Sequence, residues 1–472
     1  LRYKMETTSA LVADAGIQYA IAYLEDRLER SLEPVPGTRT TLTLRSQDLR
    51  TDMNGWEWQV TVIPDEETPP VGTNPRRAYT LESRAVFSNK VYRVVTTSLV
   101  QESFVRYARF TDRWPDAIGV WAGAQHFTGP FHSNTDIRVG IHAGYYNDES
   151  EQLFQSTVTS VRGIVYQADT FEPPPSTPQQ FRRLYDIPRE PGTVDPVQVP
   201  WDSNMIRRNC YPGQDPTADG VHVNAPGGRV AGGIFMRGTV DELVLGVEGG
   251  NPTQTITING KRYKVVELGD RDTGRTRVTD LSNGQVIVDA QGHPNGTLFA
   301  TGDIKSLHGI NKGRHTIAVD TLRHNKITLG GNVLQHNLGP DSPPRLMNNE
   351  NALGLIAYEL TIPRRLDPAD GPLTLHAAVM AGDGNGNGGL KTEDLEGIER
   401  NNAHHNYFNI TGSVVSDTLH MMAHIDSGVP GMGGSGWTTR VEFDPSLKDA
   451  PPPAYPSLPE FTMCGYSDSY GE

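Results

Sequence analysis

The sequence predicts an α+β head, a long N-terminal helix laid on an antiparallel sheet, carrying a large all-β inserted domain of β-solenoid-like character. Three observations predict it. Helical periodicity is sustained only at the N-terminus, strict apolar/polar alternation follows it, and from residue 119 onward short apolar segments are punctuated by Gly, Asn, Asp and Pro. Composition agrees, since 49 Gly and 34 Pro with 36% apolar residues describe a turn-rich β protein. At 472 residues the chain exceeds one ordinary core, so two or more domains are expected.

In the helix, Ala13, Ile17, Ala20, Ile21, Leu24, Leu28 and Leu32 recur at steps of three and four, while Asp14, Gln18, Glu25, Asp26, Glu29 and Arg30 fall away from that line. Pro34, Pro36 and Gly37 stop it after about eight turns. Asp26 and Arg30 form an i,i+4 pair on the wet side. Beyond the stop, Trp56, Trp58, Val60 and Val62 alternate with polar residues as a half-buried strand does. YTLESRAVF and VYRVVTTSLV then form a hairpin about Ser88-Asn89-Lys90. These elements give a head segment of residues 1–118.

Residues 119–429 are the expected insertion. Gly232-Gly233-Ile234, Thr301-Gly302-Asp303-Ile304, Gly330-Gly331-Asn332-Val333 and Thr411-Gly412-Ser413-Val414 share a form, small residue then aliphatic. Stacked short strands turned at glycine and asparagine corners build a β-solenoid, although an elaborate β-sandwich has the same composition. KTEDLEGIER is the one helix-period stretch expected here. Residues 430–472 hold the strand TTRVEF, expected to return to the first sheet, and a Pro-rich tail.

The net charge of −14 argues against a globally basic nucleic-acid binder but leaves a local patch open, because distant charges are screened. No apolar run approaches the roughly 20 residues that span a bilayer. Cys210 and Cys464 are either paired in an oxidising compartment or free. No Gly-x-Ser-x-Gly elbow, His-Glu-x-x-His or phosphate-binding glycine loop is present, so an enzyme is not expected. His404, His405, His420 and His424 lack acidic or cysteine partners at metal-site spacing and are expected as ordinary surface or core histidines.

The helix resembles those of type IV pilin-like proteins, in which a small-residue stretch such as Ala13-Asp14-Ala15-Gly16 precedes a run like Ile17-Gln18-Tyr19-Ala20. Gly129, Pro130, His132 and Asn134 resemble the opening of the large insertion that some of these proteins carry, and NGTLFATGDIKSLHG continues in that style. The architecture is similar to that of the large minor pilins of the bacterial natural-competence machinery. The resemblance implies a pilin head, an apolar membrane helix immediately before Leu1, pilin partners and a place on an extracellular, cell-surface pilus.

Two local patterns carry chemistry. In Asp383-Gly-Asn385-Gly-Asn387-Gly388-Gly389, closed by Asp394, the residues fall on the positions of a twelve-residue calcium loop, with Gly389 offering its carbonyl. It resembles a dockerin or EF-hand loop, departing in Lys391 at position nine and in Asp394 for Glu. Calcium is therefore an expected cofactor, against the alternative of a Gly/Asn hairpin tip. The second pattern is a basic island over residues 257–326. Lys261, Arg262, Lys264, Arg271, Arg275, Arg277, Lys305, Lys312 and Arg314, with Arg323 and Lys326, outnumber seven carboxylates there. Such an island attracts phosphates by counterion release without reading sequence. Tyr263 and His308 are candidate stacking groups, and Arg182-Arg183 and Arg207-Arg208 weaker cation sites. The expected function is a non-enzymatic minor pilin at a pilus tip that receives DNA in natural transformation. The alternatives are a pilus-borne adhesin for surface glycans and a solenoid carbohydrate-active enzyme.

Overall fold

The computed structural model describes residues 2–29, 42–45, 55–64, 78–115, 119–122, 125–141, 145–146, 152–167, 172–270, 273–339, 350–363, 372–393, 406–420, 423–424 and 435–470. Two compact units divide the chain, Leu1–Ser103 with Pro456–Glu472, and Phe104–Tyr455. Strand accounts for 53% and helix for 15% of the structure, with one long N-terminal helix and large sheets. This corrects the expected fold class: the chain is a mostly-β protein, not an α+β pilin head bearing an insertion. The N-terminal helix dominates the sequence pattern because its apolar spacing continues unbroken from Ala13 to Leu32. Shorter strands, several of them buried on both faces, leave a weaker periodic trace yet make most of the structure.

In the smaller unit the helix spans Arg2–Glu29. Val12, Ala13, Ile17, Ala20 and Leu24 share a buried cluster with Trp56, Trp58, Val60, Leu81 and Leu99. Gly16 marks the closest approach, since a Cβ there would lie 2.4 Å from Ser83 Oγ and 2.8 Å from Val60 Cγ2. The strands run in the order Leu42–Arg45, Trp56–Pro64, Ala78–Phe87, Lys90–Ser103 and Ser457–Tyr470, each antiparallel to its neighbour. The closing strand differs from the expected one. TTRVEF lies instead in Ser435–Phe443, which runs parallel to Asn406–Leu419 in the larger unit. Ser457–Tyr470 takes the edge, held by Gln101 Nε2 donating to Leu458 O at 2.7 Å, by the Arg93–Asp468 ion pair and by Tyr466 Oη donating to Asp14 at 2.9 Å. Cys210 is buried, Cys464 is exposed, and both are free thiols.

The larger unit is built on parallel ladders. Ile234, Leu298, Ile317, Leu355, Val379 and Val414 pair in that order, each on a strand parallel to the next. A second ladder runs Val240, Ile304, Ile327, Leu360, Leu390, Leu419. All of the first ladder and all of the second up to Leu390 are buried in one core. Consecutive strands thus alternate between two stacks, and the pairings close on themselves. Ile234, Ile304, Val333 and Val414, the aliphatic ends of the recurring small-residue motifs, all lie in this core. Gly412, at φ 147°, is one reason the motif needs glycine, because a Cβ there would sit 2.1 Å from Ala377 O on the neighbouring strand.

Three short helices among the described residues escape the sequence reading, one of them Ser446–Asp449. Pro178–Tyr185 begins in a Pro-rich segment, with Thr177 and Gln180 forming a capping box, and Asn204–Cys210 is a second short helix. Where KTEDLEGIER was expected to begin a helix, Gly389–Thr392 is a strand parallel to Glu359–Ile362. Residues 394–400 lie outside the described residues.

The packing of the N-terminal helix is directly testable. Leu24→Asp buries an unpaired carboxylate and is expected to cost several kcal/mol. Gly16→Val forces the helix off the strands at a cost of about 1–3 kcal/mol. Urea unfolding read by tryptophan fluorescence checks both, since Trp58 stacks on Tyr19 of the helix at 5.0 Å; unchanged midpoints would refute this packing.

Candidate functional site

Between Val240–Glu248 and Thr297–Ala300, which belong to different parallel ladders, the chain makes an antiparallel excursion through Asn251–Ile258, Lys261–Leu268, Arg275–Asp280 and Gln285–Gln291. Strand alternation decides which side chains face outward. Tyr263, Val265 and Glu267 are buried, so Arg262, Lys264, Val266 and Leu268 take the other face. On the next strand Thr276 and Val278 are buried, leaving Arg275 and Arg277 outward. Arg277 pairs with Val266 and Arg275 with Leu268, and directly paired residues share a face. Arg262, Lys264, Arg275 and Arg277 therefore stand on one side of a continuous sheet.

Their carboxylate partners are local. Arg275 Nη2 lies 2.9 Å and Arg277 Nη2 3.3 Å from the two oxygens of Asp289, and Lys264 pairs with Glu248. No ion pair is made by Arg262 among the described residues. The other expected cations are dispersed. Lys261 is exposed at the start of its strand, while Lys305 pairs with Asp241 at 2.9 Å and holds that carboxyl below its ordinary range. Lys312 Nζ donates to Gly250 O and Arg314 to Pro451 O, and both line a separate cleft. Arg271 lies outside the described residues. The expected stacking groups do not serve, because Tyr263 is buried and His308 Nε2 faces Glu242 at 3.3 Å. Arg207 is paired with Asp215.

The residues expected to hold calcium come together in part. Asp383 Oδ1 accepts from the Asn385 amide at 2.9 Å, and Oδ2 accepts from Asn385 Nδ2 at 3.1 Å and lies 3.2 Å from His324 Nε2. Asn387 is exposed, Gly389 enters the strand, its N–H donating to Tyr358 O, and Asp394 lies outside the described residues. Among the described residues no three His, Cys, Asp or Glu side chains are grouped to hold a metal ion.

The partner of this loop that sequence reasoning missed is Asp417, from the neighbouring strand. Its Oδ2 accepts from Gly386 N at 2.9 Å and Asp383 N at 3.4 Å, while Oδ1 is buried without a hydrogen bond. Burial pushes the Asp417 carboxyl up, helped by Asp112 and Asp383 and opposed by the two amides. Burial also raises Asp383, but the Asn385 donors and His324 outweigh it and hold it low. No sequence signal could have found Asp417, since the contact comes from stacking segments that are over thirty residues apart.

No protein-family model matches the chain, and neither a curated protein nor a solved structure shows significant similarity to it.

The Asp417 environment sets a pH dependence. The folded chain keeps a proton on Asp417 above the pH, about 3.9, at which an unfolded Asp loses it. The native state then binds more protons than the unfolded one, so this group's contribution to stability falls as pH rises from about 4 through its folded pKa. Asp417→Asn retains an acceptor for Gly386 and supplies a donor toward Asp383. Expected outcomes are a gain of about 1 kcal/mol at neutral pH and a flatter profile of melting temperature against pH; an unchanged profile would refute the assignment.

Proposed function

We propose that this protein is a non-enzymatic, cell-surface receptor for duplex DNA that binds phosphates without reading sequence. The observation that carries the proposal is the outward face bearing Arg262, Lys264, Arg275 and Arg277 on a rigid antiparallel sheet. Side chains two apart on one strand are separated by about 6.5–7 Å and neighbouring strands by about 4.8 Å, so the cations form a close two-dimensional array. Threonines 255, 257 and 279 pair with or lie beside them, adding hydroxyl donors suited to phosphate oxygens.

Asp289 and Glu248 already engage three of these cations, and magnitude decides whether that blocks the site. Exposed ion pairs are worth only about 0.2–1 kcal/mol each. Arg277 is 45% and Arg275 57% exposed, so a phosphate displaces their shared carboxylate at little cost while releasing condensed counterions. The acidic remainder of the chain confines a polyanion to this face. Cations on a sheet face support contact with the sugar-phosphate backbone, which carries no sequence information directly. The cell-surface location rests on the resemblance of the helix and short motifs.

An electrophoretic shift with duplexes of arbitrary sequence at two salt concentrations tests the reading. Each phosphate contact removed is expected to lower the slope of log affinity against log salt by about 0.9, so replacing Arg262, Arg275 and Arg277 together by Ala should reduce it by nearly 3 units. Asp289→Asn, which frees two guanidinium groups, is expected to tighten binding to every sequence alike. Binding indifferent to both variants would make this face an ordinary solvated surface.

A further inference from the structure

Lys312 and Arg314 line a cleft of about 490 Å³ that also exposes Asn251, His293 and Glu350 and reaches Glu267. Glu267 is only 6% exposed. Its Oε1 accepts from Gln254 Nε2 at 3.0 Å and faces His315 Nε2 at 3.2 Å. The Asn311 amide is oriented by its Nδ2, which donates to Gly313 O at 3.0 Å and Ala352 O at 3.4 Å, so its Oδ1, 2.8 Å from His315 Nδ1, is an acceptor. Both nitrogens of His315 thus face acceptors.

On the other side, His293 Nε2 donates to Leu268 O at 3.0 Å, and in that neutral tautomer Nδ1 is an acceptor. Nδ1 is 3.9 Å from Glu267 Oε2, beyond hydrogen-bond range. Glu267 Oε2 and His293 Nδ1 therefore stand side by side, and among the described residues neither receives a hydrogen bond. A ligand that fits them donates twice. An ammonium group does so but adds a cation beside Lys312 and Arg314, which already line the cleft. Adjacent hydroxyls donate twice and add no charge, and the remaining charges on the cleft wall, Lys312 and Arg314 against Asp270 and Glu350, balance. Lys312 spends one of its three hydrogens on Gly250 O, leaving donors for ligand oxygens.

We propose that this cleft binds a neutral sugar residue, with adjacent hydroxyls donating to Glu267 Oε2 and His293 Nδ1. The cleft volume suits a ligand of one or two sugar rings. The site is separate from the cationic face and independent of the DNA reading.

Titration calorimetry of the full chain with methyl glycosides of neutral hexoses, and with glucosamine as a cationic comparison, tests the proposal at low and high salt. The expected result is binding of at least one neutral glycoside, insensitive to salt and weakened about tenfold in His293→Ala, with duplex binding unchanged in that variant. Glu267→Gln is the second variant, its melting temperature measured alongside because it breaks the pairing with His315; while it stays folded it is expected to weaken the same glycoside. Failure of every neutral glycoside to bind, preference for the amine, or affinity untouched by His293→Ala overturns the proposal.

Discussion

The larger unit depends on one constraint, the stacking of aliphatic side chains along parallel ladders. Ile234, Leu298, Ile317, Leu355, Val379 and Val414 each meet the next through a parallel pairing, and none is more than 1% exposed. Each short strand has too little surface to be stable alone, because its inward residues need a neighbour above and below. Once stacked, each buried Leu, Ile or Val contributes about 1.5–3 kcal/mol relative to exposure. The same stacking brings acidic side chains together where a loop lies over a neighbouring strand, as with Asp383 and Asp417. That contact is a cost tolerated by a stack whose aliphatic ladders dominate it.

Both candidate binding surfaces are consequences of leaving the ladder. Val240–Glu248 still pairs in parallel with Ile304–Asn311, yet its next neighbour in the chain folds back antiparallel and begins the excursion that ends at Gln291. Alternation then sends Arg262, Lys264, Arg275 and Arg277 to one face and Glu267 to the other. Glu267 meets His315, which belongs to the ladder strand Arg314–Val319. The cationic face and the polar cleft are therefore opposite sides of the same departure, and a rigid ladder fixes the positions of both.

The sequence made the N-terminal helix legible because seven apolar residues repeat at one period, and made the alternating strands around Trp58 and the 88–90 hairpin legible for the same reason. It overweighted them in assigning a class. Several ladder strands are buried on both faces, as in LTLHAAVMA over Leu373–Ala381, and so lack alternation. Only their glycine-plus-aliphatic motifs betrayed them. The basic residues were readable as a local excess of charge, but strand register decides that four share a face while Lys312 and Arg314 turn to a cleft. Glu267, His293 and His315 had no motif, since 26 residues separate the first two and the third arrives from another layer. The return of Ser457–Tyr470, and not TTRVEF, to the small sheet was hidden by prolines ahead of it.

Amide hydrogen exchange is the most direct test that the ladders organise the larger unit. The slowest exchange is predicted in the parallel strands, above all Arg314–Val319, Ala352–Ala357 and Leu373–Ala381, with the excursion strand Gln285–Gln291 exchanging well before them, because its outer edge lacks a partner strand among the described residues. Ladder amides that exchange as fast as those of Gln285–Gln291 would contradict the account.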